Sequence, residues 1–215
     1  MNAAGSAPRL LAVLDDTRGA EPALELCVAL ARSERRELQV IFVEHAPALA
    51  AAAWPAARVL AEAAAQWTAF DTGDVERGWR VQVQRLRRLL DRQSVGSVLE
   101  VTRGRLRETA LALLGATDLL LVRPLQAGPS VPARRRLIVA VDDASAAGQQ
   151  ALQVAARLAQ AVRAQLRVLP VGPEDPVLPA ADLLVLPRAL LTAERFEHLR
   201  SPTLLVGTEE ALSGH

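Results

Sequence analysis

Apolar residues in this chain follow two alternating rhythms: short unbroken runs, and longer stretches with a helical period. Leu10 to Leu14 is a run ended by polar residues, the pattern of a parallel strand buried on both faces. Ala20, Ala23, Leu24, Cys27, Val28 and Ala31 then recur at helical spacing. Pro22 falls in the first turn of that helix, where a missing N–H costs little. Leu38 to Val43 reads as a second strand. A helix from Val75 to about Arg92 carries Val75, Trp79, Val83, Leu86 and Leu90 on one stripe. Val98 to Thr102 is a third strand, Leu106 to Leu114 a helix ended at Gly115, and Leu119 to Val122 a fourth strand. Between these elements, residues 46–72 are rich in alanine and carry Trp54, Pro55 and Trp67. They read as an excursion, partly helical from Ala57 to Phe70 and stopped near Asp71-Thr72-Gly73. The tryptophans of the excursion and its border, Trp54, Trp67 and Trp79, are expected to pack it onto the sheet.

Residues 124–135, rich in proline, glycine and small side chains, break the pattern as a linker does. The rhythm then restarts. Leu137 to Val141 is a strand, and Ser145 caps a helix with Leu152, Ala155, Leu158, Ala159 and Val162 facing inward. Leu166 to Val171 and Ala181 to Leu186 are strands, a helix spans about Thr192 to Leu199, and Thr203 to Val206 is the last strand. The restart repeats the opening: RLLAVLDD at 9–16 returns as RLIVAVDD at 136–143. A strand–helix–strand order written twice implies two α/β units of related design. The connector GPEDPVLPA is too short for a helix, a strand and another helix, so the second unit lacks a middle. The first lacks a helix and strand at its end. We divide the chain into a first unit at 1–125, a linker at 126–135 and a shortened second unit at 136–215.

Composition narrows the class. Of 215 residues 51% are hydrophobic, enough for a substantial core. No apolar run reaches the roughly 18–20 residues that cross a bilayer, so no membrane insertion is expected. Cys27, the single cysteine, excludes an internal disulfide and fits a reducing cytoplasm. It reads as a small buried hydrophobe on the first helix. A formal net charge of +1 gives no electrostatic argument for nucleic acid. All 25 basic residues are arginine, and the densest groups, Arg134-Arg135-Arg136 and Arg85-Leu86-Arg87-Arg88, read as solvated faces.

The ordered segments LLAVLDD, IFVEH and EVTRGRLRETALALLGATDLLLV, with LIVAVDD, ADLLVLP and SPTLLVG, resemble the universal stress protein family. The resemblance implies an adenine-nucleotide α-hydrolase-like fold with parallel strand order 3-2-1-4-5, and Gly104 and Asp118 match its strand–glycine–helix–Asp-Leu-Leu-Val segment. It further implies two Rossmann-like, flavodoxin-like parallel-sheet units packed as an internal pseudo-dimer. Nucleotide-binding members carry G-x-x-G, about nine residues, then G-[ST] after the fourth strand, whose N–H groups cradle phosphates. Here the fourth strands run into Arg123-Pro124-Leu125-Gln126-Ala127-Gly128 and Pro187-Arg188-Ala189-Leu190-Leu191. Neither has that spacing, and Pro124 and Pro187 remove donors. No cofactor is expected: ATP is the one the resemblance allows, and its phosphate-loop glycines are missing.

The candidate ligand-binding residues are therefore Asp15, Asp16, Val43, Gly104, Arg123, Asp142, Asp143 and Arg188. Asp15 and Asp142 match the family's first-strand aspartate at the carboxyl edge of the sheet, where open α/β sheets bind ligands. The alternative, which we favour, is that the four aspartates accept hydrogen bonds from the turn and helix after them. Arg123 and Arg188 end fourth strands, where each either grips an anion or pairs with the aspartates and closes the pocket. We expect Arg123 within salt-bridge reach of Asp15 or Asp16. His45 reads as an exposed loop residue, and no nucleophile or metal-ligand spacing is present. The expectation is a cytoplasmic, non-enzymatic protein with a degenerate nucleotide site. It would act in stress response or regulation through an unidentified protein partner, with a homodimer as one form. The alternative is a small-molecule sensor binding an adenine nucleotide or another anion.

Overall fold

The computed structural model describes residues 9–17, 21–61, 66–93, 96–113, 119–123, 136–170 and 178–207. In chain order its elements are β1 (Arg9–Leu14), α1 (Glu21–Glu34), β2 (Glu37–His45), α2 (Ala46–Ala52), β3 (Arg58–Ala61), β4 (Gln66–Ala69) and α3 (Thr72–Asp91). There follow β5 (Ser97–Gly104), α4 (Leu106–Leu113), β6 (Leu119–Arg123), β7 (Leu137–Asp142), α5 (Ala146–Val162), β8 (Gln165–Pro170), β9 (Leu183–Pro187), a 3-10 turn (Arg188–Leu190), α6 (Ala193–His198) and β10 (Thr203–Val206). Each of the eight apolar runs is a strand of one sheet, ordered β5-β2-β1-β6-β10-β9-β7-β8.

Neighbouring strands are parallel everywhere except at the centre, where β6 and β10 run antiparallel with Leu121 opposite Leu204. The fold is thus α/β with a mostly parallel sheet, and strands from both units share it. Strand alternation sends Leu10, Ala12 and Leu14 to one face, with α1, α3 and α5. Leu11 and Val13 go to the other, with α4 and α6. Both cores cross the central junction: Ile138, Ala140 and Leu204 join the first face, Val139, Val141 and Leu205 the second.

Helices α1 and α5 meet on the same face, and their ends match. Each stops on an arginine in the left-handed region, Arg35 (φ 53°) and Arg163 (φ 54°). In each case the next N–H bonds back to the helix, Arg36 to the Ala31 carbonyl and Ala164 to that of Ala159, both at 2.9 Å. Glu34 ties the two helices, accepting from Arg36 at 3.0 Å and from Arg157 of α5 at 2.6 Å. Arg136 pairs with Glu25, so this member of the triple-arginine run serves the interface between units; Arg134 and Arg135 lie outside the described residues.

The excursion differs from its sequence reading. Its helix is α2, which ends before Pro55, and the stretch expected to be helical from Ala57 forms the hairpin β3–β4 instead. Trp54-Pro55 disfavours a continuing helix. Beyond it Val59, Trp67 and Thr68 suit a pleated surface, a preference that the surrounding alanines concealed. The tryptophans diverge as well: Trp79 is buried on α3, whereas Trp54 and Trp67 stand 74% and 65% exposed. They do not fasten the excursion to the sheet, because the hairpin lies away from it with β4 wholly exposed.

Cys27 is buried in the α1 core, and burial pushes its thiol from 9.0 up to about 12. The folded state therefore keeps the thiol proton through a range where the unfolded chain loses it. The stability this gives is complete below pH 9.0 and is lost as pH rises toward 12. With neither lysine nor tyrosine in the chain, Cys27 dominates side-chain titration in that window. Urea melts should show stability falling by about 1.4 kcal/mol per pH unit there, and Cys27→Ala should remove the slope. A second expectation concerns the junction. Leu204, Leu205 and Val206 are buried almost completely, worth on the order of 2 kcal/mol each, against a total of about 5–15 for a domain. Fragments 1–130 and 131–215 expressed separately should be insoluble or should melt without cooperativity.

Candidate functional site

Parallel strands bring their carboxyl ends to one edge. In the first unit Leu14 lies beside Phe42 and Arg123, and His45 beside Gly104. Asp15, Val43, Gly104 and Arg123 thus reach the same edge of the backbone, where ligands of open α/β sheets sit. The side chain of Arg123 lies outside the described residues, and so does its expected pairing with Asp15 or Asp16. Val43 is fully buried and belongs to the core of the α4 face. Gly104 has room: a Cβ there would meet only Thr109 Oγ1, at 3.6 Å. Asp16 is buried, and beside it the Thr17 N–H donates to Gln82 Oε1 of α3 at 3.0 Å.

Alternation continues past β1 and puts Asp15 on the α4 face. There it lines a crevice of about 420 Å³ with His45, Pro47, Arg105, Leu106, Arg107 and Glu108, closed by Phe196, Glu197 and Leu199 of the second unit. His45 ends β2 at this edge and precedes α2, but it is half-buried in this wall rather than exposed as expected. Arg107 Nη1 donates to Glu197 Oε1 at 2.9 Å across the two units. Both side chains are largely exposed, so this pair is worth less than about 1 kcal/mol. Three carboxylates (Asp15, Glu108, Glu197) outnumber the two guanidiniums of Arg105 and Arg107. Arginine 105 and arginine 107 were findable, since they follow the strand–glycine step. The contribution of α6 was not, because only the antiparallel junction brings it to this edge.

In the second unit the same motif shapes a turn. Asp142 Oδ1 accepts from the Ala144 N–H at 2.9 Å, and Asp143 Oδ1 accepts from the Ser145 N–H at 3.1 Å and hydroxyl at 2.6 Å. Ser145 in turn caps α5 by accepting from the Gly148 N–H at 3.0 Å. Ala144 sits between them at φ 60°, in the left-handed region. Both carboxylates therefore hold the turn, as the favoured reading of the aspartates has it. Arg188 follows Pro187 at the end of β9 and is only 8% exposed. Gly207, at φ 144°, passes beside it, and a Cβ there would lie 3.6 Å from that of Arg188. Among the described residues no three His, Cys, Asp or Glu side chains group as a metal site, and no helix is long and apolar enough to cross a membrane.

No family model matches the chain, and no curated protein matches it. Among solved structures, a universal stress protein from Archaeoglobus fulgidus DSM 4304 is similar, with a TM-score of 0.45 and 9% sequence identity. The likeness covers 93% of this chain and 97% of that one.

The turn geometry is testable at Gly148. A Cβ there would lie 2.3 Å from Asp143 Oδ1 and 3.1 Å from the Asp143 nitrogen. Gly148→Ala should therefore displace the Asp143 carboxylate from Ser145 and cost about 1–3 kcal/mol, measured by thermal denaturation. An unchanged melting temperature would mean that the aspartate turn does not hold α5.

Proposed function

We propose that this chain is a cytoplasmic, non-enzymatic protein of the universal stress protein kind, acting in stress response or regulation through association with another protein. We read its nucleotide site as degenerate. The observation that carries this reading is the engagement of Asp142 and Asp143 by Ala144 and Ser145, which leaves the second unit's aspartates serving its own turn. The first unit's crevice supports it, because its carboxylates outnumber its guanidiniums and a triphosphate needs a surplus of donors and positive charge. Pro187 ends β9 where an N–H would otherwise face a ligand.

We further read the two units as an internal pseudo-dimer about a two-fold axis normal to the sheet. Supporting this are the placement of α1 and α5 on one face, the antiparallel contact of β6 with β10, and the shared left-handed helix ends. The axis would make β10 the fifth strand for both units. A homodimer of the whole chain would be a further level of association.

A second reading has its own support. The crevice has the volume of a small-molecule site, and Arg105, Arg107 and His45 line it. A compact anion, or a nucleotide held without a phosphate loop, would meet Asp15 at its floor. Calorimetry separates the two readings. Titration with ATP, AMP and inorganic phosphate should give no binding tighter than about 1 mM, with Asp15→Ala and Asp142→Ala indistinguishable from the parent chain. Micromolar binding lost in either variant would establish the sensor instead.

A further inference from the structure

Helix α3 buries one side and charges the other. Trp79, Leu86, Leu89 and Leu90 lie against the sheet core. At 100° per residue the opposite arc of residues 80–92 holds Arg80, Val81, Gln84, Arg85, Arg87, Arg88, Asp91 and Arg92, all exposed. Among the described residues none of these five arginines forms an ion pair. Arg80, Arg88 and Arg92 use Nε only to bond a carbonyl one turn back. Residues 80–92 carry five arginines and one aspartate, a surplus of four positive charges. Since the chain totals +1, everything outside this segment carries a net charge of −3. Solvated surfaces usually interleave the two signs; along residues 80–92 the positive sign prevails.

We infer that this face docks an acidic helical segment of a partner protein. Val81, 61% exposed, opens onto a crevice lined by Arg85, Arg88, Asp91 and Arg92. The members of that line recur at three- and four-residue intervals, which sets them about 5–6 Å apart. Carboxylates on a facing helix have the same repeat. An aliphatic side chain of the partner meets Val81, and one basic residue meets Asp91. A nucleic-acid backbone makes no use of Val81 and is repelled by Asp91, and a lipid surface would call for more apolar residues than this one. The inference rests on the association reading above for the class of partner. It does not involve the Asp15 crevice, which lies on the other face of the sheet.

The test uses the full chain and fluorescence anisotropy. The probe is a helix-forming peptide with glutamates at three- and four-residue spacing, one leucine and one arginine. Its controls are the same peptide with glutamines for glutamates, a labelled DNA duplex, and phosphatidylserine vesicles. The acidic peptide should bind and should weaken as salt is added. Arg85→Glu with Arg88→Glu should reduce affinity by about tenfold or more, the neutral pair Arg85→Gln with Arg88→Gln by less, and Val81→Ser should also weaken it. Absence of peptide binding, equal binding by the charge-reversed chain, or tighter binding of duplex or vesicles would overturn the inference. Heat from ATP in the calorimetry above would overturn the degenerate-site reading and leave this one standing.

Discussion

The antiparallel contact between β6 and β10 is the constraint on which the rest of this structure depends. Neither unit carries a full complement of strands, and each would end on an unpaired apolar edge. Because Leu121 faces Leu204 and Leu119 faces Val206, the two edges satisfy each other's backbone donors and acceptors. The two cores then become continuous across the molecule. From this follow the meeting of α1 with α5, the sharing of Glu34 between Arg36 and Arg157, and the approach of α6 to the first unit's carboxyl edge.

The same contact governs the chemistry of that edge. Parallel strands on their own would leave an open cleft above Asp15. The second unit arrives reversed, so its α6 brings Phe196, Glu197 and Leu199 into the cleft as a wall. Glu197 adds a carboxylate where a phosphate site would call for donors, and Arg107 answers it. At the other end of the sheet Asp143, Ser145 and Gly148 form a chain of hydrogen bonds that starts α5. These bonds commit one oxygen of each aspartate to its own turn and fix the orientation of the other. One sequence motif, occurring twice, thus has different surroundings at its two sites.

Charge is distributed with similar asymmetry. Among the described residues several carboxylates pair with an arginine, as Glu25, Glu44, Glu197 and Asp74 do. The arginines from Arg80 to Arg92 along α3 have no such counterpart among the described residues. They cost little to leave in water, since their charged heads stay solvated while their stems lie along the helix. A surface of that kind adds nothing to the fold and is free to serve contact with something else.

The sequence by itself determined the elements. Unbroken apolar runs can satisfy their backbones only beside other strands, and the period of Leu86 and Leu90 only as a helix, so local pattern and structure agree over both units. Ser145 was legible as a cap because only a short polar side chain reaches the free N–H groups of a helix start. Where two local preferences competed, pattern failed: alanine argued for helix in 57–70, and Trp54-Pro55 followed by β-branched residues made a hairpin. The candidate site was legible as an edge, through Asp15 and Gly104, but not as a composition. Arg105 and Arg107 were visible in sequence, whereas Phe196 and Glu197 lie some 90 residues away and reach the crevice through one antiparallel pairing. Nothing in an apolar run records the direction of its neighbour, since Leu and Val bury equally well either way. Only the tertiary structure decided that direction, and with it what fills the space above Asp15.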